Sequence, residues 1–210
     1  MADPLRGLLL DFGGVLTTNI FDSFSAFCDA EGLDPVTVRD AFRSDPVGRA
    51  LLFDLELGKL DEAGFEAPFC RLLGLPDDRA AGMIERLFGG MKADHAMLNA
   101  VRAFKGLGVR TGLLSNSWGE GRYDRSQFPE LFDAVVISAE EGMRKPDPEI
   151  YALATERMGL PPEEIVFVDD LPGNLKPARA MGMVTLVHVS AQETVTQLEE
   201  LLGMTLRSAT

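Results

Sequence analysis

Apolar residues recur along this chain with two different periods, and the change from one to the other divides it. Leu8-Leu9-Leu10 is an unbroken apolar run that ends at Asp11 and is followed by Phe12, Gly13 and Gly14. Such a run predicts a buried strand over 8–11 that delivers a carboxylate to its C-terminal end, with glycines that let the backbone turn beside it. From about residue 17 to residue 91 the spacing is helical: Phe21, Phe24, Phe27 and Cys28 form one stripe, and 50–57 forms a second. Phe65, Phe69, Leu72 and Leu73 continue the period, and Met83, Ile84, Leu87 and Phe88 close it. Asp34-Pro35, Leu60-Asp61 and Pro76-Asp77 read as helix starts, and Gly89-Gly90 reads as an end. From about Ala93 onward the pattern alternates, with strands expected at 109–114, 134–138, 165–168 and 184–189. Helices are expected around 98–107, 148–158, 175–181 and 194–202.

Alternation of strands and helices predicts an α/β fold, a parallel sheet covered on both faces, joined by the first strand. The sheet domain is then discontinuous, residues 1–16 and 93–210, with an all-helical segment 17–92 inserted after the first strand. Strands of a parallel sheet all end on one edge. Asp11, Ser115-Asn116 and Asp169-Asp170 fall at strand ends, so they converge, and the helical insert leaves from the same edge as a lid.

The formal charge of −13 over 210 residues excludes the basic footprint that nucleic-acid binding needs. It also means that an anionic substrate must meet a local positive group, a metal or a lysine. The two cysteines, Cys28 and Cys70, lack metal-ligand spacing and are expected to be buried free thiols in a reducing compartment. No basic leader with an apolar core opens the chain, and no run approaches the roughly 18 to 20 apolar residues that span a bilayer. A cytoplasmic protein with no membrane or nucleic-acid partner is the expectation.

Asp11 with Asp169 and Asp170 brings carboxylates to one edge, where they either share protons or hold a hard cation through oxygen ligands. Alternation along a strand allows only one of Asp169 and Asp170 to face the site, and either is also suited to capping the helix that Leu171-Pro172 begins. Ser115-Asn116 reads as a phosphate-holding turn or as a plain turn, and Lys145 before Pro146 as a phosphate partner or a surface lysine. Asn174, one helical turn beyond Asp170, is placed to orient Lys145 or to support a metal ligand. His95 and His188 lack partner motifs and read as structural. Trp118 reads as packing between sheet and helical segment, or as a pocket wall.

These four elements in this order resemble the haloacid dehalogenase-like hydrolase superfamily, and most closely the phosphatase domain of soluble epoxide hydrolases and its bacterial relatives. Leu114-Ser-Asn-Ser-Trp118, Gly142-Met-Arg-Lys-Pro146, the segment from Phe167 to Arg179 and Met181-Gly-Met-Val184 carry the likeness over nearly the whole chain. The resemblance implies a Rossmann-like sheet with a helical cap, and a Mg²⁺-dependent phosphatase acting on a small phosphorylated molecule. It implies that Asp11 is a nucleophile forming an aspartyl-phosphate, that Ser115 and Asn116 bind the phosphoryl oxygens, and that Lys145 neutralises both. It assigns Mg²⁺ to Asp11, the carbonyl of Gly13 and Asp170, with Asp169 and Asn174 behind them.

One position departs from the family pattern. A second aspartate usually stands two residues after the nucleophile as general acid and base, and here that residue is Gly13. Loss of such help is worth roughly 10²- to 10⁴-fold in rate. The absence predicts a preference for aryl over alkyl esters and a slow second step. It also keeps two alternatives open: a non-catalytic phospho-ligand binder, and a metal-free dehalogenase-type hydrolase using Arg39 or Arg43 at a halide site.

Overall fold

In the computed structural model, which describes residues 4–119 and 123–206, the chain opens with β1 (Gly7–Leu10), buried along its whole length. Five helices follow: α1 (Ile20–Glu31), α2 (Thr37–Ser44), α3 (Pro46–Glu56), α4 (Glu62–Leu72) and α5 (Met83–Phe88). Strands and helices then alternate: α6 (His95–Gly106), β2 (Arg110–Ser115), α7 (Phe128–Leu131), β3 (Ala134–Ile137), α8 (Ser138–Glu141) and α9 (Pro148–Met158). They continue through β4 (Ile165–Asp169), α10 (Pro172–Ala180), β5 (Val184–Val187) and α11 (Ala191–Leu202).

The sheet is parallel throughout, in the order β3-β2-β1-β4-β5. Strand order therefore reverses at β1, where open α/β sheets leave a crevice beyond their strand ends. Leu10 lies opposite Leu113 on one side and Val168 on the other, so Asp11 comes level with Leu114 and Asp169, and Ser115 follows one residue further on at the same edge.

The period-two alternation of β1 sorts its leucines between two cores. Leu8 and Leu10 pack with Val166, Val168 and the apolar faces of α6 and α11, including Phe104 and Leu198. Leu9 faces the opposite way, onto Phe167 and the α9–α10 side with Tyr151, Met158 and Leu175. The segment from α1 to α5 has a cluster of its own around Phe24, Phe27, Phe42, Phe65 and Phe69, with Phe42 stacked on Phe69 at 4.7 Å. Its two connections to the sheet are tied together, Thr18 N donating to Lys92 O at 2.8 Å and Asp94 N to Leu16 O at 2.9 Å.

Most differences from the sequence reading fall at element ends. α6, α10 and α11 each begin three residues earlier than expected. Their first turns are built from polar caps and proline, which carry no apolar period: Asp94 accepts from Met97 N, Pro172 opens α10, and Ser190 accepts from Glu193 N. The stretch 37–56 holds two helices, because Asp45-Pro46 restarts the chain, Asp45 accepting from Val47 N and Gly48 N. At Pro76-Asp77 there is only a single 3₁₀ turn, Asp77–Arg79. β5 stops at Val187; His188 N still bonds Asp169 O at 3.0 Å, but Val189 is exposed.

The helical layer meets the sheet domain through a tight backbone contact. Gly58 has φ +69°, and a Cβ there would lie 2.6 Å from the carbonyl oxygen of Ala139. Gly58→Ala is therefore expected to destabilise the fold by about 1–3 kcal/mol, through the left-handed backbone and the clash together. A denaturant titration compared with wild type measures it.

Candidate active site

Asp11 sits one residue beyond the central strand, its N–H still bonded to Val168 O at 2.9 Å. That backbone bond fixes the root of a short side chain, so the carboxylate position is set by the sheet. Oδ1 accepts from Phe12 N at 2.7 Å and pairs with Lys145 Nζ at 2.8 Å. Among the described residues no hydrogen bond falls on Oδ2.

Lys145 is only 1% exposed, and its ammonium also reaches Asp169 Oδ2 at 2.6 Å. Asp169, the last residue of β4, is wholly buried and saturated: its Oδ1 accepts from Leu171 N at 2.8 Å, and both oxygens accept from Asn174 Nδ2 at 3.0 Å. Asn174 thus acts on Lys145 through Asp169. Asn116 grips Lys145 by its backbone, donating Nδ2 to Lys145 O at 3.1 Å and accepting from Lys145 N at 2.8 Å. The Asn116 carboxamide is therefore a clamp between the end of β2 and the lysine loop.

Asp11, Asp169 and Asp170 each bring an oxygen within 4.8 Å of the others. The expectation that only one of Asp169 and Asp170 faces the site is corrected. β4 ends at Asp169, so strand alternation no longer governs Asp170, and both carboxylates reach the cluster. Gly14 makes room: at φ +73°, a Cβ there would lie 2.5 Å from Asp170 Oδ2. At Gly13, by contrast, an added Cβ meets nothing within 4 Å.

Ser115 is 2% exposed, and its hydroxyl bonds Asn116 O at 3.3 Å and the Tyr123 hydroxyl at 2.9 Å. The Tyr123 ring rests on Phe12 at 4.8 Å between centroids. Tyr123 was absent from the sequence reading, since a lone tyrosine in a polar stretch carries no periodic or motif signal. A cavity of about 360 Å³ extends from Gly13 and Ser115 between sheet and helices, walled by Phe12, Trp118, Tyr123 and Phe128 among others. Trp118 packs on Phe24, Phe42 and Phe88 while lining it, so both of its expected roles hold. His188 bonds Thr194 Oγ1 at 2.9 Å just past β5, and His95 opens α6; neither joins the cluster. Arg39 and Arg43 are exposed on α2, and neither lines the cavity. Cys28 and Cys70 are buried and free.

Charge is unbalanced in this cluster. Burial pushes the Asp11 carboxyl up; Lys145 pulls it back, and Asp169 and Asp170 push it up further. Asp170 is pushed up to about 6 by burial and then by Asp169. Burial disfavours the Lys145 ammonium, but Asp11 and Asp169 outweigh that and hold it charged. One ammonium serves three carboxylates. The donor set, all hard oxygen with two carboxylates in excess of the one ammonium, fits a divalent metal such as Mg²⁺.

The haloacid dehalogenase-like hydrolase family profile matches residues 5–182. The chain belongs to that family and is a hydrolase. It is 31% identical over 131 residues to bifunctional epoxide hydrolase 2 of Sus scrofa, 59% of this chain and 24% of that protein. The match thus spans about a quarter of the length of that relative. Sesquiterpene phosphatase astK of Aspergillus oryzae is 27% identical over 206 residues, 97% of this chain and all of that one, 100%. A family enzyme of Bacteroides thetaiotaomicron, solved with magnesium and inorganic phosphate, shares the fold at TM-score 0.65 and 21% identity, covering 88% of this chain and 94% of that one. No helix among the described residues is long and apolar enough to cross a membrane.

The raised Asp170 value has a stability consequence. As pH rises the unfolded chain loses this proton near 3.8 and the folded chain only near 6, so a penalty on folding grows between those values and is constant above them. In excess chelator, Asp170→Asn is therefore expected to raise Tm at about pH 8, and the gain disappears below about pH 4. Thermal unfolding of both proteins at the two pH values measures it.

Proposed function

We propose that this hydrolase is a Mg²⁺-dependent phosphatase that cleaves a small phosphate ester through an aspartyl-phosphate on Asp11. The observation that carries the reading is the Asp11 carboxylate, fixed at the end of the central strand with Oδ1 held by Phe12 N and Lys145 Nζ. An oxygen so held leaves its twin to attack phosphorus in line, and phosphoryl transfer asks little more of a protein than positioning and charge neutralisation.

Asp11 forms the new bond to phosphorus as the bond to the ester oxygen breaks, and water later cleaves the acyl-phosphate. The Ser115 hydroxyl and the backbone N–H of Asn116 hold phosphoryl oxygens, and Lys145 offsets charge on Asp11 and the transferred group. Asp169 and Asn174 orient Lys145. Asp11, the Gly13 carbonyl and Asp170 are the residues that would hold Mg²⁺, which supplies further neutralisation of the phosphoryl charge. Residues 17–92 serve as the cap over this site, and the cavity between cap and sheet receives the organic group. Its largely aromatic and aliphatic wall favours an apolar ester, in keeping with a relative named a sesquiterpene phosphatase. Arg39 and Arg43, on which the metal-free dehalogenase reading would place a halide, are exposed and do not line the cavity, which favours the phosphatase reading.

A panel of phosphate esters with and without Mg²⁺ tests the reading, 4-nitrophenyl phosphate being the most permissive member. Turnover is expected with Mg²⁺ and is expected to vanish in excess chelator, in Asp11→Asn and largely in Asp170→Asn. Full activity in chelator would overturn the metal assignment. Mg²⁺ affinity is expected to fall as pH drops through about 6, because Asp170 then takes up a proton; Mg²⁺ titration of Tm across pH reads this without turnover.

Gly13 yields a second test. Because an added side chain there enters open space, Gly13→Asp is expected to fold normally. It should raise steady turnover by about 10-fold or more by supplying the base for water attack on the acyl-phosphate. A wild-type burst of nitrophenol followed by a slower steady rate, lost in Gly13→Asp, is the expected kinetic trace.

A further inference from the structure

Resting on the phosphatase reading, we propose that the Tyr123 phenol is the catalytic residue that delivers the proton to the departing ester oxygen, the task for which Gly13 has no side chain. The space that a residue at position 13 would occupy is open cavity, since a Cβ there meets nothing within 4 Å. Tyr123 lines that same cavity together with Gly13 and Ser115. Its hydroxyl lies 2.9 Å from the Ser115 hydroxyl, which the phosphatase reading places on a phosphoryl oxygen. A group one hydrogen bond from a phosphoryl ligand stands beside the reacting phosphorus, and direct contact or one bridging water carries its proton to the ester oxygen.

The ring is held for the task. It lies on Phe12 at 4.8 Å and meets Phe128 edge-on at 6.1 Å, so the hydroxyl is aimed by packing on two sides. Either hydroxyl can donate within the pair, and once the Ser115 proton is turned to a phosphoryl oxygen the Ser115 oxygen accepts and Tyr123 is the donor. Other polar groups on the cavity wall are differently placed. Thr17 Oγ1 accepts from Gly14 N and donates to Thr18 O, each at 3.1 Å. Asp124 is exposed and takes Ser126 and Gln127, while Glu85 and Lys92 are exposed.

In the first step Asp11 bonds to phosphorus, the phosphorus–ester oxygen bond breaks, and the Tyr123 proton passes to that oxygen to release an alcohol. The strongly basic phenolate regains a proton from a solvent acid before water attacks the acyl-phosphate, and hydrolysis of the acyl-phosphate returns one proton to solvent. Burial holds the phenol well above its ordinary range, and its hydrogen bond with Ser115 opposes this only in part. Tyr123 therefore starts each cycle protonated and offers no base to the water that attacks the acyl-phosphate. Help on the first step alone follows: alcohols leave with assistance, yet the acyl-phosphate persists and the burst remains.

The test is Tyr123→Phe, which keeps the ring packing, assayed in saturating Mg²⁺ on 4-nitrophenyl phosphate and on 2-phenylethyl phosphate. Nitrophenolate departs without a proton and the phenylethyl alkoxide does not. The burst rate is expected to fall about 100-fold on the alkyl ester and less than about threefold on the aryl ester, with KM for both little changed. Adding Gly13→Asp to Tyr123→Phe should restore alkyl cleavage by supplying an acid from the vacant position. Equal losses on the two esters would overturn the proposal and leave Tyr123 as a group that only positions Ser115; so would no loss on either. A wild type inactive on the aryl ester itself would instead sink the phosphatase reading, and the proposal with it.

Discussion

The buried ammonium of Lys145 is the group around which the functional edge of this sheet is organised. An ammonium with 1% exposure is tolerable only if it is paired and hydrogen-bonded. Here Asp11 lies at 2.8 Å and Asp169 at 2.6 Å, one from the central strand and one from its neighbour β4. The loop that carries the lysine is in turn gripped by Asn116, at the end of β2 on the other side. Three adjacent strands thus end on one residue, two on its ammonium and one on its backbone. Losing the ammonium would leave two buried carboxylates facing each other, a larger penalty than the pair itself repays.

Asp169 shows how the cluster separates structural from chemical carboxylates. Its two oxygens take Leu171 N, Asn174 and Lys145, which fills most of its accepting capacity. Asp11 has both recorded donors on one oxygen, and Asp170 stands beyond the strand against Gly14. The unspent oxygens therefore belong to Asp11 and Asp170, and it is on their side that the excess negative charge lies. In a chain already at −13 no diffuse surface field relieves it, which leaves a shared proton or a bound cation as the two ways of doing so.

The sheet and the convergence of its edge were legible because three of the site residues directly follow apolar runs. Asp11 after Leu8–Leu10, Ser115 after Leu113-Leu114 and Asp169 after Ile165–Val168 all announce a strand end. Helix starts were less legible, since Asp94, Pro172 and Ser190 act through single hydrogen bonds or a fixed φ and not through a repeated pattern. The alternation rule failed at Asp170 because it was applied one residue past the strand's end. The Asn116 clamp, the Tyr123–Ser115 pair and the Glu56–Arg144 pair left no trace, each joining residues whose neighbours in sequence say nothing of their partners in space.

That last pair links the helical layer to the chemistry. Glu56, at the end of α3, is buried and bonds Arg144 at 2.6 Å; burial pushes its carboxyl up while Arg144 pulls it back. The Arg144 guanidinium also covers the Phe53 ring at 3.8 Å, so one side chain binds α3 by charge and by its flat face. Ser138 adds to the seam, accepting from Ser117 N at 2.8 Å and donating to Glu56 O. Arg144 and Lys145 are adjacent in sequence, so a single peptide joins the residue that docks α3 to the residue that neutralises Asp11. A motion of α3 that broke the Glu56 bond would act on the backbone that Asn116 holds in register. The contact that joins α3 to the sheet side and the ammonium that pairs with Asp11 thus come from adjacent residues, and the two-residue sequence Arg-Lys encodes both.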